Sequence, residues 1–225
     1  MNDRRPLVAI VGATGALGGA LARRLAKADV SIIMGSRDPE RGAAAAAALE
    51  SELGRPVASG SNAAAAAAAD IVIVTVPFAA QRQTLAEIKD AVAGKIVVDT
   101  TVPLVPPKVM RVQLPQEGSA AIVAQGLLGP DVKVVSAFHN VAAHKLAQDG
   151  AVDCDVLVFG DDRDSRQEVV RLAEACGLRG LHAGVLGNSA AAEALTSVLI
   201  FMNKTYAIDG AGLRITGTMT PLAST

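Results

Sequence analysis

The stretch VAIVGATGALGGALARRLAKADVSIIMGSR, residues 8–37, joins an apolar run to an alanine-rich amphipathic segment through Gly12, Gly15 and Gly18. Glycine at the first two positions permits a tight turn and lets backbone N–H groups approach a pyrophosphate. The third lets a helix pack closely on the preceding strand. The helix N-terminus then faces the phosphate charge. At the start of a βαβ unit this arrangement predicts dinucleotide binding; the alternative is a structural turn in some other α/β domain.

The end of the second strand discriminates between dinucleotides. An NAD-type site places Asp or Glu there, about 20 residues downstream, to accept hydrogen bonds from the ribose hydroxyls. Here the strand ends Gly35-Ser36-Arg37, with Arg41 one helical turn further on. A hydroxyl and two guanidinium groups suit the 2′-phosphate of NADP: Ser36 can donate to it, Arg37 can pair with it and stack on adenine, and Arg41 adds charge. The competing reading is of solvated arginines, paired with Asp38 and Glu40.

The rest of the chain alternates short β-rich runs with alanine-rich helical segments, the pattern of a parallel sheet covered on both faces. Strands are expected at 7–11, 31–35, 71–76, 96–99, 132–136 and 156–159, with another near 181–183. Helices are expected near 16–28, 39–53, 63–69, 78–92, 119–128, 164–176 and 189–204. The alanine runs 43–48 and 63–69 read as helix, because alanine is the strongest helix former. Pro103, Pro106, Pro107 and Pro115 bracket an irregular connection. The fold class is therefore α/β: a Rossmann-like, doubly wound, mostly parallel sheet with a small C-terminal helical part. Residues 1–185 form the nucleotide-binding domain, and 186–225 a helix and tail that supply the substrate pocket and a dimer contact. The last helix is apolar over a wide arc, so it packs either against a second subunit or within its own monomer.

Aromatic residues are only 2% of the 225, so the core must be built from Ala, Val, Leu and Ile. A formal net charge of −1 with interspersed signs provides no field for nucleic acid or an anionic membrane. Cys154 and Cys176 are too few for a disulfide framework, and three scattered histidines do not make a metal site. These features, with no apolar run long enough for a signal peptide or a span, lead to the expectation of a cytoplasmic protein.

The catalytic half narrows the chemistry. Short-chain dehydrogenases need a Tyr with a Lys four residues later, but the one tyrosine is Tyr206 and position 210 is Gly. β-Hydroxyacid dehydrogenases need a Lys where this chain reads GNSAAAE, residues 187–193, and no Gly-x-Ser-x-Gly elbow occurs for a serine hydrolase. An NADP site without an evident proton donor fits hydride transfer to a ring that delocalises the added charge, a flavin or deazaflavin.

GATGALG, GSR with Arg41, VTVPF at 74–78, VVSAFHNVAA at 134–143, VFGDD at 158–162, LGNS with its helix at 186–204, and GAGLRI at 210–215 occur in one order and spacing. In these, from residue 7 to 215, the chain resembles the NADP reductases dependent on the deazaflavin coenzyme F420. The resemblance implies a homodimer and hydride transfer between the nicotinamide C4 of NADP(H) and the deazaflavin C5 of F420. It places Thr14, Gly15, Ala16 and Leu17 at the pyrophosphate, and Ser36, Arg37 and Arg41 at the 2′-phosphate. Val76, Pro77 and Ala80 flank the ribose and nicotinamide. His139, Asn140, Val141 and Ala143 lie where nicotinamide meets deazaflavin, and Gly212 and Leu213 offer backbone groups to its polar edge. Two positions depart from the family pattern: Ala142 stands where a proline is usual, and Phe78 where a Trp is usual. Alternatives within the same pocket are an NADPH-dependent reductase of FMN, FAD or a small organic acceptor, or a non-catalytic NADP sensor.

His139 follows the C-terminal end of a strand, the ligand-binding edge of such a sheet. It reads either as an active-site group steering the ring stack or as a structural loop histidine. His144 and His182 read as ordinary, Asp161 and Asp162 as caps of the helix near 164, Thr100 and Thr101 as strand-end groups, and Glu193 as a solvated or interface carboxylate, the alternative being a group that orients a substrate.

Overall fold

Strand β1 (Val8–Val11) is buried at all four positions, Val8 and Ile10 packing with one helical layer and Ala9 and Val11 with the other. Alternate side chains of a strand point to opposite faces, so a strand apolar at every position needs cover on both sides. The computed structural model, which describes residues 6–219, supplies that cover. The expectations for residues 1–5 and for the last six residues of the tail lie outside the described residues.

The other strands are β2 (Ile32–Ser36), β3 (Ala58–Ser61), β4 (Ile71–Val74), β5 (Ile96–Asp99), β6 (Lys133–Ser136), β7 (Asp155–Gly160) and β8 (Arg179–His182). They form one sheet in the order β3-β2-β1-β4-β5-β6-β7-β8. Strands β1 to β6 are parallel; β7 runs antiparallel to β6, with Ser136 opposite Phe159, and β8 is parallel to β7. The order reverses between β1 and β4, and that switch point is where open α/β sheets bind ligands.

One face is covered by α1 (Ala16–Lys27), α2 (Pro39–Leu53), α6 (Ala143–Leu146) and α7 (Arg163–Ala175), whose Leu21, Leu25, Leu49, Leu146 and Val169 share one core cluster. The other face carries α3 (Asn62–Ala68), α4 (Phe78–Ile88) and α5 (Ala120–Leu128), with Ala65, Leu85, Ile88 and Ala124 in the second. A 3-10 turn, Leu186–Asn188, buries Leu186 in that second cluster and leads into α8 (Ser189–Tyr206). The segment from Thr100 to Gly118 is irregular, as its prolines demand.

Two elements have no counterpart in the sequence-based expectation. β3 reads Ala-Ser-Gly-Ser, without β-branched residues or alternation, and is a strand because it pairs with β2 along the sheet edge. α6 is a single turn, too short to show a period. α8 inverts the expected logic: its buried side chains are Ser189, Ala192, Glu193, Ser197 and Leu199, whereas Val198 and Phe201 are 43% and 51% exposed. The monomer alone leaves these two large apolar residues uncovered.

Among the described glycines, Gly18 has the least room for a side chain. A Cβ there would lie 2.5 Å from Thr75 Oγ1 and 2.6 Å from the Gly12 carbonyl oxygen, which is backbone and cannot swing aside. A Cβ on Gly19, one residue on, would meet only the Ala13 carbonyl at 3.4 Å. Gly18→Ala is therefore expected to destabilise the fold by about 2 kcal/mol, in the range of overpacked cores. Gly19→Ala should be neutral or stabilising by up to about 1 kcal/mol through helix propensity. Urea unfolding midpoints of the two variants check this; equal shifts would contradict it.

Candidate functional site

A cleft of about 230 Å³ opens above the C-terminal ends of β1, β2 and β4, lined by Gly12, Thr14, Gly15, Ser36, Arg37, Asp38, Arg41, Asn62, Thr75, Val76 and Pro77. Its floor is set by Gly12, whose φ of +82° turns the chain sharply and whose N–H is shared between the Gly35 carbonyl at 3.1 Å and Asn62 Oδ1 at 3.3 Å. Gly15 then begins α1 as an N-cap residue without a side-chain cap. The first N–H groups of a helix have no intrahelical acceptor, and with the helix dipole they favour an anion. Ala16 and Leu17 lie in this first turn and Gly18 packs beneath it.

Ser36 is 3% exposed and its Oγ accepts the Asp38 N–H at 3.1 Å, while Asp38 in turn caps α2 by accepting the Arg41 N–H. Asp38 is thus committed to the backbone. Arg37 and Arg41 are exposed at the cleft, and among the described residues neither guanidinium has an ion pair. Val76 and Pro77 follow β4, and the Ala80 N–H bonds back to the Pro77 carbonyl at 2.8 Å to open α4.

The second group of expected residues gathers at the end of β6, two strands from β4 and so about 10 Å away. His139 is 7% exposed, with Nε2 2.9 Å from Ser136 Oγ. Burial pushes its imidazole down to about 3, so the ring is neutral at physiological pH and offers no imidazolium acid. Its carbonyl accepts from Thr196 Oγ1, and Asn140 Nδ2 donates to the Ala192 carbonyl and to Thr196 Oγ1. One turn of α8 thereby holds the loop that carries Val141 and, at the start of α6, Ala143. Phe138, at φ +66°, makes the bend, an uncommon conformation for a bulky residue.

The tail reaches the same rim. A Cβ on Gly212 would lie 2.9 Å from Cys154 Sγ, and the Leu213 carbonyl accepts the Asp155 N–H at 2.7 Å. The Cys154 thiol donates to the Asn140 and Asp155 carbonyls at 3.4 Å, and burial raises its pKa. Asp155 also binds the Ile215 N–H and the Arg179 guanidinium, and Asp209 pairs with His144 and Lys145, so the tail is tied at both ends.

Three polar groups behind this rim escaped the sequence reading or were misread. Asp99, at the end of β5, is fully buried, accepts from Gln81 Nε2 at 2.6 Å and from the Thr101 N–H, and is pushed up by burial to about 6. A carboxylate closing an apolar strand was the available signal. Glu193 is not solvated: it is 1% exposed and accepts the Ala120 and Ala121 N–H groups at 2.6 and 3.2 Å, where the first turn of α5 needs an acceptor. Burial outweighs those two bonds and raises its pKa to about 7. Of the two expected caps, Asp162 holds α7 through the Ser165 N–H, but Asp161 accepts from Leu186 instead. Among the described residues no cluster suits a metal ion, and no helix is long and apolar enough to cross a membrane.

Residues 7–103 match the family model described as NADP oxidoreductase, coenzyme F420-dependent. A reductase named F420-dependent NADP reductase from Methanothermobacter thermautotrophicus is 39% identical over 218 residues, covering 93% of this chain and 94% of the relative. The chain belongs to the F420-dependent NADP reductases. The reductase of that name from Methanocaldococcus jannaschii is 38% identical, with 93% and 97% covered. The fold agrees: a crystal structure of a putative F420-dependent NADP reductase from an Arthrobacter species superposes with a TM-score of 0.79 at 25% identity, over 94% of this chain and 100% of that one.

The Glu193 carboxyl carries a pH signature. Its pKa is raised in the folded state, so the native form holds the proton more tightly than the unfolded form, and stability falls as pH rises from about 4.5 to about 7. Asp99 acts in the same sense at lower pH and its charge helps to raise Glu193, so it is part of the effect; His139 acts in the opposite sense and cancels in a comparison with Glu193→Gln. Between pH 6 and 8 the stability of wild type relative to that variant should drop by roughly 1 kcal/mol. Urea melts at the two pH values measure it; a pH-independent difference would show a freely ionising carboxyl.

Proposed function

We propose that this reductase transfers a hydride between NADP(H) and coenzyme F420. The observation that carries the reading is the cleft at the β1–β4 switch point, where an uncapped helix N-terminus meets two arginines that no acidic side chain neutralises among the described residues. These residues fit NADP: orphan N–H donors for the pyrophosphate and guanidinium groups for the 2′-phosphate. The names of the relatives supply the acceptor.

Bound NADPH supplies the hydride from its nicotinamide C4. In this reading Thr14, Gly15, Ala16 and Leu17 bind the pyrophosphate, Gly12 and Gly18 shape the loop, and Ser36, Arg37 and Arg41 donate to the 2′-phosphate. Val76, Pro77 and Ala80 wall the nicotinamide ribose. His139 is a neutral positioning group rather than an acid; through Ser136 and Thr196 it and Asn140 hold Val141 and Ala143 against the acceptor. Gly212 and Leu213 close the opposite wall. The chain's task is alignment of two carbons and exclusion of water, the part of such reactions that a protein contributes. A homodimer accompanies this reading, supported by the exposed Val198 and Phe201 on α8 and by Val105, Met110, Val112 and Leu114 on the proline-rich segment.

The purified protein, mixed with NADPH and oxidised F420 or FMN, is expected to bleach the deazaflavin absorbance rapidly and FMN slowly or not at all. Rapid turnover of FMN alone would favour the flavin reductase, and tight NADPH binding without turnover of either would favour a sensor. Arg37→Ala should weaken NADPH by about 10- to 100-fold, the value of a charge-assisted pair, and leave NADH within about threefold. Equal losses for the two nucleotides would overturn the 2′-phosphate assignment.

A further inference from the structure

Asn62 was not singled out by the sequence, yet it is fully buried and lines the nucleotide cleft. It follows β3 directly and packs over Gly35, where a Cβ would come within 3.1 Å of its Oδ1. That Oδ1 accepts the Gly12 N–H, which fixes the orientation of the amide. The other end, Nδ2, is buried and has no hydrogen-bond partner. Buried donors are almost always satisfied, so an orphan in a ligand cleft marks a place where the ligand brings the acceptor. Its neighbours around the cleft include Ser36, Arg37 and Arg41, the groups assigned above to the 2′-phosphate. An amide NH2 group donates, so its partner must be an acceptor, and the groups beside it in the cleft are those assigned to the 2′-phosphate, whose acceptors are oxygens.

We propose that Asn62 is a cofactor-binding residue whose Nδ2 donates to an oxygen of the 2′-phosphoribose of NADP, while its Oδ1 holds the glycine loop. The inference rests on the NADP reading of the cleft. Asn62 couples the two halves of that site: the loop that receives the pyrophosphate and the strand end that receives the adenosine. A carboxylate at this position would keep an oxygen on the Gly12 N–H but replace the donor by a negative charge facing a phosphate.

Calorimetric titration with adenosine 2′,5′-bisphosphate and with adenosine 5′-monophosphate tests this without turnover. Asn62→Asp is expected to weaken the bisphosphate by about 10-fold or more, the scale of a lost hydrogen bond to a charged group, with the monophosphate changed by less than about threefold. Unchanged bisphosphate affinity, or equal losses for both ligands, overturns the role of Asn62. Arg37→Ala, run alongside, separates the two failures: if it too leaves the bisphosphate unaffected, the NADP reading of the cleft has failed rather than Asn62 alone. Should Asn62→Asp not fold, the wild-type protein labelled with 15N-asparagine gives the same answer. One of the five asparagine side-chain NH2 pairs should move downfield on saturation with the bisphosphate, and the absence of any such movement overturns the proposal.

Discussion

The structure depends on how closely α1 lies against β4. Between Gly18 and Thr75 there is no room for a single methyl group, and Thr75 Oγ1 itself donates to the Val11 carbonyl at 2.9 Å. Three elements, β1, α1 and β4, are thereby fixed at one point, and the switch point of the sheet is that point. A looser contact would leave the α1 N-terminus free to shift against the strand ends, and a helix end acts on an anion only within its first turn. The cleft is therefore a by-product of packing rather than an addition to it.

The other half of the rim is held by a different kind of force. Its fixed points are buried polar bonds: Glu193 to the start of α5, Thr196 and Asn140 between α8 and the β6 loop, Asp155 to the tail. The bonds of Glu193, Thr196 and Asp155 each satisfy a backbone group that would otherwise be stranded, at a cost of about 1–3 kcal/mol if left unmet. Such bonds are directional where apolar contacts are not, and they hold the loop of His139, Val141 and Ala143 in one arrangement. It also explains a helix that buries Ser189, Glu193 and Ser197 and turns Val198 and Phe201 outward.

The legible part of the molecule was the part encoded locally. Alternation of β-rich and alanine-rich segments marked most strands and helices of the described residues, because each carries its own periodicity, and the glycine loop with Ser36, Arg37 and Arg41 reads within thirty residues of chain. What stayed hidden depends on partners distant in sequence. β3 has no strand character apart from its pairing with β2. Glu193 looks like any helical carboxylate until α5 arrives 70 residues earlier in the chain to claim it, and Asn62 is one polar residue among alanines until the Gly12 N–H is placed beside it. His139 stood at the right strand end, but its neutrality comes from burial that no spacing reveals.

The reversal of β7 has a wider consequence. Had this strand run parallel to the others, its first residue would have lain on the far rim of the sheet, and the chain that returns to pair with Asp155 would have been drawn there too. Running backwards, β7 delivers Cys154 and Asp155 to the rim at the C-terminal ends of the parallel strands, and residues 209–215 with them. The molecule thus divides its rim: one part is woven into strands β1 to β6, where change disturbs the whole sheet, and the other is a strap laid on last. Exchange of the strap would remake that part of the rim while the framework of β1 to β6 stayed as it was.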